Sequence, residues 1–191
     1  MTSPAYRGRF APSPTGPLHF GSLVAAVASH ADARHQHGSW LIRIDDVDQT
    51  RCRPGAEEQI LHTLRTFGMQ SDEAPTRQSD RTDRYLQILE QLKQKGQVYR
   101  CNCSRKLIAA VANIGSEGPI YPGTCRSNPP GAGTPVAWRL GVNNDEIAFN
   151  DRVVGPVSQN LAADIGDFVV RRIDGFTAYQ LAVVVDDFDQ G

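Results

Sequence analysis

The sequence predicts an α/β fold built around a parallel sheet. Three observations carry that expectation. The chain opens as strand, Gly/Pro loop, helix and strand; helix and strand patterns then continue to alternate as far as Gly96; and the Gly- and Pro-dense stretch at residues 115–133 reads as an insert rather than as part of the scaffold.

Residues 7–11 form a short strand candidate that runs into Pro12-Ser13-Pro14-Thr15-Gly16-Pro17. Proline restricts both itself and the residue before it, so the chain must turn there. From Leu18 onward Leu23, Val27 and Ala31 recur every four residues in an alanine-rich run, which predicts a helix closing near Gly38. Residues 40–44 are a buried-type strand that ends in Asp45, Asp46 and Asp48. The ordinary consequence of such a βαβ opening is a parallel sheet with its ligand site at the carboxyl ends of the strands. Pro54 suits the first position of a helix with an apolar face of Ile60, Leu61, Leu64 and Phe67, stopping at Gly68. A further helix starts from Asp80 or Thr82 as cap, carries Tyr85, Leu86, Leu89 and Leu92, and ends at Gly96. Residues 97–100 read as a strand, as do 136–142, 147–157 and 167–172, the last followed by an Asp174-Gly175 turn. Residues 181–185 read either way: their β-branched run favours a strand, whereas Tyr179, Val183 and Asp186-Asp187 could share a short helix.

At 191 residues and 40% hydrophobic content the chain can bury a substantial core, which excludes a disordered tail protein. Twenty basic groups face twenty-one acidic ones, so any nucleic-acid contact needs a local patch rather than an overall field. No run of eighteen apolar residues occurs, and the N-terminus lacks a charged segment followed by an apolar one, which leads us to expect a cytoplasmic protein with no membrane partner. In that reducing compartment Cys101, Cys103 and Cys125 are better read as thiols or metal ligands than as disulfides, while Cys52 stands apart between two arginines.

Chemistry concentrates at the first loop. A helix beginning near His19, after a loop with glycines that allow close backbone approach, would aim its free N–H groups and dipole at a phosphate at the end of the first strand. His19 adds a side-chain donor there, although a histidine near a helix start is also commonly just solvated. Arg9 and Asp45, at the ends of the two neighbouring strands, would face one crevice, where an arginine pairs with a substrate carboxylate and an aspartate with an ammonium group. The alternative is that they pair with each other or with Arg43.

The thirteen residues from Arg9 to Gly21, Arg-Phe-Ala-Pro-Ser-Pro-Thr-Gly-Pro-Leu-His-Phe-Gly, are similar to the first signature of the class I glutamyl-type aminoacyl-tRNA synthetases. Ile42-Arg43-Ile44-Asp45-Asp46-Val47-Asp48 resembles a second segment of that family and Tyr179 through Asp187 a third, so the resemblance spans nearly the whole chain. It implies a Rossmann-like class I synthetase catalytic domain, with His19 and Gly21 facing ATP and with Arg9, Phe10, Ala11, Pro12, Ser13, Asp45 and Tyr179 contacting glutamate. The family usually carries Glu where this chain has Asp45, so the ammonium contact would span one methylene more. Gly21-Ser22-Leu23-Val24-Ala25-Ala26 and Tyr121-Pro122-Gly123-Thr124-Cys125 look most like the branch that attaches glutamate to the queuosine base in the tRNA(Asp) anticodon. The reaction implied is attack of glutamate on the α-phosphorus of ATP, with Mg2+ on the phosphates, and then transfer to queuosine, by a monomer. The alternatives are a tRNA(Glu) synthetase catalytic fragment and an inactive nucleotide- or zinc-binding module.

Three cysteines leave a tetrahedral zinc site one ligand short, and all five histidines lie at or before His62. The local candidate for the fourth position is Tyr121, which also matches the pattern of the queuosine branch. One structural zinc is expected there. The expected organisation is an N-terminal catalytic half at 1–98, a zinc-binding insert at 99–135, and at 136–191 the remainder of the insert region with the start of a second catalytic half. The only lysines are Lys93, Lys95 and Lys106, so the family's later Lys-x-Ser-Lys loop is missing, and the chain is expected to be truncated before it.

Overall fold

A computed structural model describes residues 6–116 and 118–191. The chain divides into two compact units, one running up to Arg84 and including Ala182–Gly191, the other formed by Tyr85–Leu181.

The first unit opens with strand β1 (Arg7–Phe10), helix α1 (Phe20–His35) and strand β2 (Ser39–Ile44), and β1 and β2 pair in parallel from Arg7 opposite Ser39 to Phe10 opposite Ile42. Helix α2 (Ala56–Thr66) then leads to the short strand β3 (Thr76–Arg77), which joins β2 in parallel and completes the order β1-β2-β3. The predicted βαβ opening is therefore present. At the turn into β2, a Cβ on Gly38 would sit 2.2 Å from the Tyr6 carbonyl oxygen, so no larger residue fits this close approach.

Helix α1 forms where the pattern placed it, but the Leu23, Val27, Ala31 spacing does not mark its inner face. The helix buries Ala26 and Ala33, Leu23 is only partly covered, and Val27 is 48% exposed. Small side chains let α1 lie close to β1, and a Cβ on Gly8 of that strand would come within 3.0 Å of the Ala33 Cβ. Helix α2 also starts later than expected. Pro54 lies in the preceding turn and Gly55, with φ of 76°, caps the helix; Ile60 and Leu64 are buried, whereas Phe67 ends the helix 58% exposed. Both α2 residues join Phe10, Trp40, Ile42, Ile44 and Met69 in one core cluster.

A 3-10 turn at Ser79–Arg81 feeds helix α3 (Thr82–Gln94), in which Tyr85 and Leu89 are buried. In the second unit follow β4 (Val98–Cys101), α4 (Arg105–Val111), the two-residue strands β5 (Ile114–Gly115) and β6 (Gly118–Pro119), α5 (Thr124–Ser127) and β7 (Ala137–Leu140). Next come β8 (Glu146–Asp151), β9 (Gly155–Asn160), a π-helical turn at Leu161–Ile165 and β10 (Phe168–Arg171). Strands β10, β7 and β4 form an antiparallel sheet in that order, with Val98 opposite Leu140 and Cys101 opposite Ala137. Residues 147–157, expected as one strand, instead fold back on themselves: β8 and β9 pair antiparallel around Arg152, Val153 and Val154. The chain closes with helix α6 (Tyr179–Gln190), so the β-branched run at residues 183–185 is helical. Leu181, Ala182, Val185 and Asp186 are buried, a spacing of three and four that suits a helix face and overrides local strand propensity.

Ile60→Ala should cost about 2–5 kcal/mol, since it empties a fully buried site, whereas Val27→Ala should stay within about 0.5 kcal/mol. Urea midpoints of the two variants check this, and equal losses would show that α1 buries its Val27 face after all.

Candidate functional site

The first loop folds as a cleft of about 450 Å³ lined by Phe10, Ala11, Pro12 and Ser13 on one side and by His19, Gly21 and Ser22 on the other. Six of the residues singled out in the sequence thus meet in one cavity at the N-terminus of α1. Two backbone hydrogen bonds hold its loop in place: Asp45 N–H donates to the Pro12 carbonyl at 3.0 Å and Arg53 N–H to the Pro14 carbonyl at 2.9 Å. His19 is the N-cap of α1, and its Nδ1 accepts the Ser22 N–H at 3.1 Å. A neutral ring that accepts at Nδ1 carries its proton on Nε2, which lies 3.1 Å from Ser22 Oγ and serves as donor. Gly21 makes room for this arrangement, because a Cβ there would stand 3.2 Å from His19 Cε1. The first amides of α1, at Phe20 and Gly21, precede any intrahelical acceptor and add to the positive end of the helix.

Arg9 and Asp45 lie outside this cleft lining, in an ion network of the same unit. Arg43 is 2% exposed; its Nε donates to Asp45 Oδ1 at 2.6 Å and its Nη2 to Asp45 Oδ2 at 3.3 Å, while its Nη1 reaches Asp187 Oδ1 at 2.6 Å. Arg9 Nη1 donates to the same Asp187 oxygen at 2.7 Å. Asp45 therefore pairs with Arg43, as the alternative reading allowed, and Arg9 pairs with Asp187. Burial raises the Asp45 carboxyl, and the Arg43 guanidinium offsets part of that rise. Burial lowers Arg9, against the pull of Asp187. Asp186, fully buried, accepts from Arg81 Nε at 2.6 Å and from Gln78 Nε2 at 3.1 Å. Asp189 binds Arg84 through both carboxylate oxygens, at 2.8 and 2.9 Å, and also takes Arg81 Nη2 at 2.5 Å. Sequence reasoning offered Arg43 only as an alternative partner and missed Arg81 and the Asp186 role; the available signal was a charged residue inside the apolar run Trp-Leu-Ile-Arg-Ile. Tyr179 lies in the second unit and is half exposed.

In the second unit the sulfur atoms of Cys101, Cys103 and Cys125 all lie within 4.8 Å of one another. Tyr121 completes the group: its Oη is 3.4 Å from Cys101 Sγ and 3.5 Å from Cys103 Sγ, and it accepts the Cys125 N–H at 2.8 Å. Tetrahedral zinc with bonds of about 2.3 Å needs donors roughly 3.8 Å apart, so these four atoms fit such an ion with small adjustments. Burial pushes the Cys125 thiol up, but hydrogen bonding to Tyr121 and its neighbours outweighs that and brings it down to about 7. Arg139 was not foreseen either; it donates from Nε to Cys101 Sγ at 3.2 Å and stacks its guanidinium 4.0 Å over the Tyr121 ring. Cys52 takes no part.

The profile of the family described as tRNA synthetases class I (E and Q), catalytic domain, matches residues 5–191. The chain belongs to that family. Among curated relatives of this class I synthetase domain, the "Glutamyl-Q tRNA(Asp) synthetase" of Dechloromonas aromatica is 56% identical over 193 residues, and that of Chromobacterium violaceum 51% identical over 191. The chain is covered completely in both alignments and spans 64% of the length of either relative. A glutamate tRNA ligase from Elizabethkingia meningosepticum, crystallised in complex with its amino acid, superposes with a TM-score of 0.82 at 29% identity, over 98% of this chain and 42% of that one. The α/β class I catalytic fold with a parallel β1-β2-β3 sheet is thus established for this chain.

Asp189 gives the network a pH signature. Its bonds to Arg84 first and Arg81 second hold its carboxyl at about 2, below the unfolded value of about 3.9. The carboxylate form is favoured by the fold, so the stability it adds is complete above pH 4 and is lost as the pH falls through 2. Asp189→Asn should flatten the stability profile between pH 4 and pH 2, read by denaturant titration at each pH. An unchanged acid limb would rule out this role for the Asp189 cluster.

Proposed function

We propose that the chain supplies the catalytic half-site for ATP-dependent activation of glutamate, followed by transfer of the glutamyl group to queuosine in the anticodon of tRNA(Asp). The observation that carries the activation step is the cleft itself, where the His19 donor, the α1 amides and the Phe10 to Ser13 backbone converge. Queuosine and tRNA(Asp) specificity rest on the shared name of relatives at 51–56% identity.

In this reading a carboxylate oxygen of glutamate attacks the α-phosphorus of ATP and the bond to the bridging oxygen of the β-phosphate breaks, releasing pyrophosphate. A queuosine hydroxyl then attacks the acyl carbon, gives up its proton, and AMP leaves. The protein's part is positioning and charge stabilisation, and no side chain forms a covalent intermediate. His19 and the first amides of α1 hold the phosphates, and Arg9 binds a carboxylate of glutamate. Bound Mg2+ would neutralise phosphate charge. Cys101, Cys103, Cys125 and Tyr121 would hold one zinc ion within an insert at residues 99–135, locking β4 to the loop before α5. Four free cysteines fit a cytoplasmic location, and among the described residues no helix is long and apolar enough to cross a membrane.

Glutamate-dependent exchange of pyrophosphate into ATP tests activation; transfer of labelled glutamate to tRNA(Asp), with and without queuosine, tests the acceptor. We expect transfer only to the queuosine form, and charging of tRNA(Glu) instead would overturn the acceptor assignment. For the metal, elemental analysis should find one zinc per chain, falling at least severalfold in Cys103→Ser or Cys125→Ser while Cys52→Ser keeps it. Equal zinc content in all three variants would remove the metal from this site.

A further inference from the structure

The Arg9 guanidinium is only partly used. Its Nη1 is held by Asp187, the one carboxylate it meets among the described residues, whereas its Nε is buried and has no hydrogen-bond partner. A buried arginine donor without an acceptor is costly, and the Nε–Nη2 edge of a guanidinium is a bidentate seat for a carboxylate. That edge suits an anionic group.

Asp187 is itself fixed from behind. The oxygen that takes Arg9 also takes Arg43 Nη1 at 2.6 Å, and Arg43 is buried and anchored by both oxygens of Asp45. Arg43 thus sets Asp187, and Asp187 sets Arg9. Asp187 remains 51% exposed, so it is not needed to fill the core.

We propose that Asp187 is a positioning residue for substrate recognition: by holding Nη1 it orients Arg9 so that the Nε–Nη2 edge receives a carboxylate of the amino-acid substrate. This inference rests on the glutamate reading above and adds a residue to it. Asp187 does not touch the substrate in this arrangement.

The test is calorimetric binding of glutamate, and separately of ATP, to the whole chain and to Asp187→Ala and Asp187→Asn. Asp187→Ala should weaken glutamate about tenfold or more, as expected for a charge-assisted contact whose orientation is lost, and leave ATP affinity unchanged. Asp187→Asn keeps an acceptor oxygen and should fall between. In the unaltered chain, glutamate should also shift the Arg9 Nε–H resonance in NMR spectra, and this shift should disappear in Asp187→Ala. Unchanged glutamate affinity in Asp187→Ala would overturn the assignment. Tighter binding would too, since Asp187 would then be a competitor, as would a parallel loss for ATP, which would mark general structural damage. If the unaltered chain binds ATP but not glutamate, the amino-acid reading itself fails, an outcome distinct from the first three.

Discussion

The organising interaction of the first unit is the buried Arg43 guanidinium. It sits on β2 at the carboxyl end of the parallel sheet and gathers Asp45 from just past the end of its own strand and Asp187 from α6, a hundred and forty-four residues later in the chain. Desolvating an arginine is expensive unless its donors are filled, so this residue stays buried only when α6 delivers its carboxylates. The cost turns into specificity: α6 can pack with Asp186 inward and Asp187 at the rim, but a rotation of one residue would leave both the arginine and the acids unpaired. Arg81 and Arg84 repeat the constraint one turn further along, through Asp186 and Asp189.

That constraint also decides what the strand ends can do. The charges at the carboxyl ends of β1 and β2 are mutually committed before any ligand arrives, apart from one edge of Arg9. The cleft beside them is different in kind, with backbone amides, a histidine donor and no carboxylate in its lining. In the proposed reading the phosphates of ATP would meet a site without a competing acid, and a carboxylate of glutamate would meet a guanidinium aimed by a fixed acid. Arg9 stands at the start of one loop and His19 at its end, and Pro12 to Pro17 between them is pinned by the Asp45 and Arg53 amides.

Much of this was legible in the residues alone, and the failures share a cause. The strand-loop-helix-strand opening was readable because prolines and a glycine stop one pattern and an alanine-rich run starts the next. The four members of the cysteine cluster were readable because ligand chemistry restricts the choice to so few residue types. What could not be read depended on partners distant in sequence. The inner face of α1 is alanine because Gly8 and Trp40 come close, which a search for large apolar residues misses. Val183, Val184 and Val185 prefer strands locally, yet the segment is helical, which places Asp186 and Asp187 where Arg81 and Arg43 pair with them. The hairpin of β8 and β9 was read as one strand because Val153 and Val154 continue the apolar pattern, although Asp151, which accepts the Val153 and Val154 N–H groups, and Gly155, with φ of 83°, close an ordinary turn.

The second unit uses the same device with different chemistry. Arg139 lies on β7, the central strand of its sheet, as Arg43 lies on the central strand of the other. It is buried, and it binds Cys101 Sγ, stacks on Tyr121 and donates to the Asp167 carbonyl at 2.8 Å, so it ties the small core of Cys101, Ile108, Tyr121 and Cys125 to the Asp167 segment. Both units are small, and a small unit buries too little apolar surface to order long connections by packing alone. A central arginine supplies up to five donors in a rigid plane, enough to hold several loops in one geometry, which a lysine's single ammonium could not do. The same residue type serves both settings: a guanidinium ties segments together where its donors are satisfied internally, and offers a seat for an anion where, as at Arg9, one edge is left open.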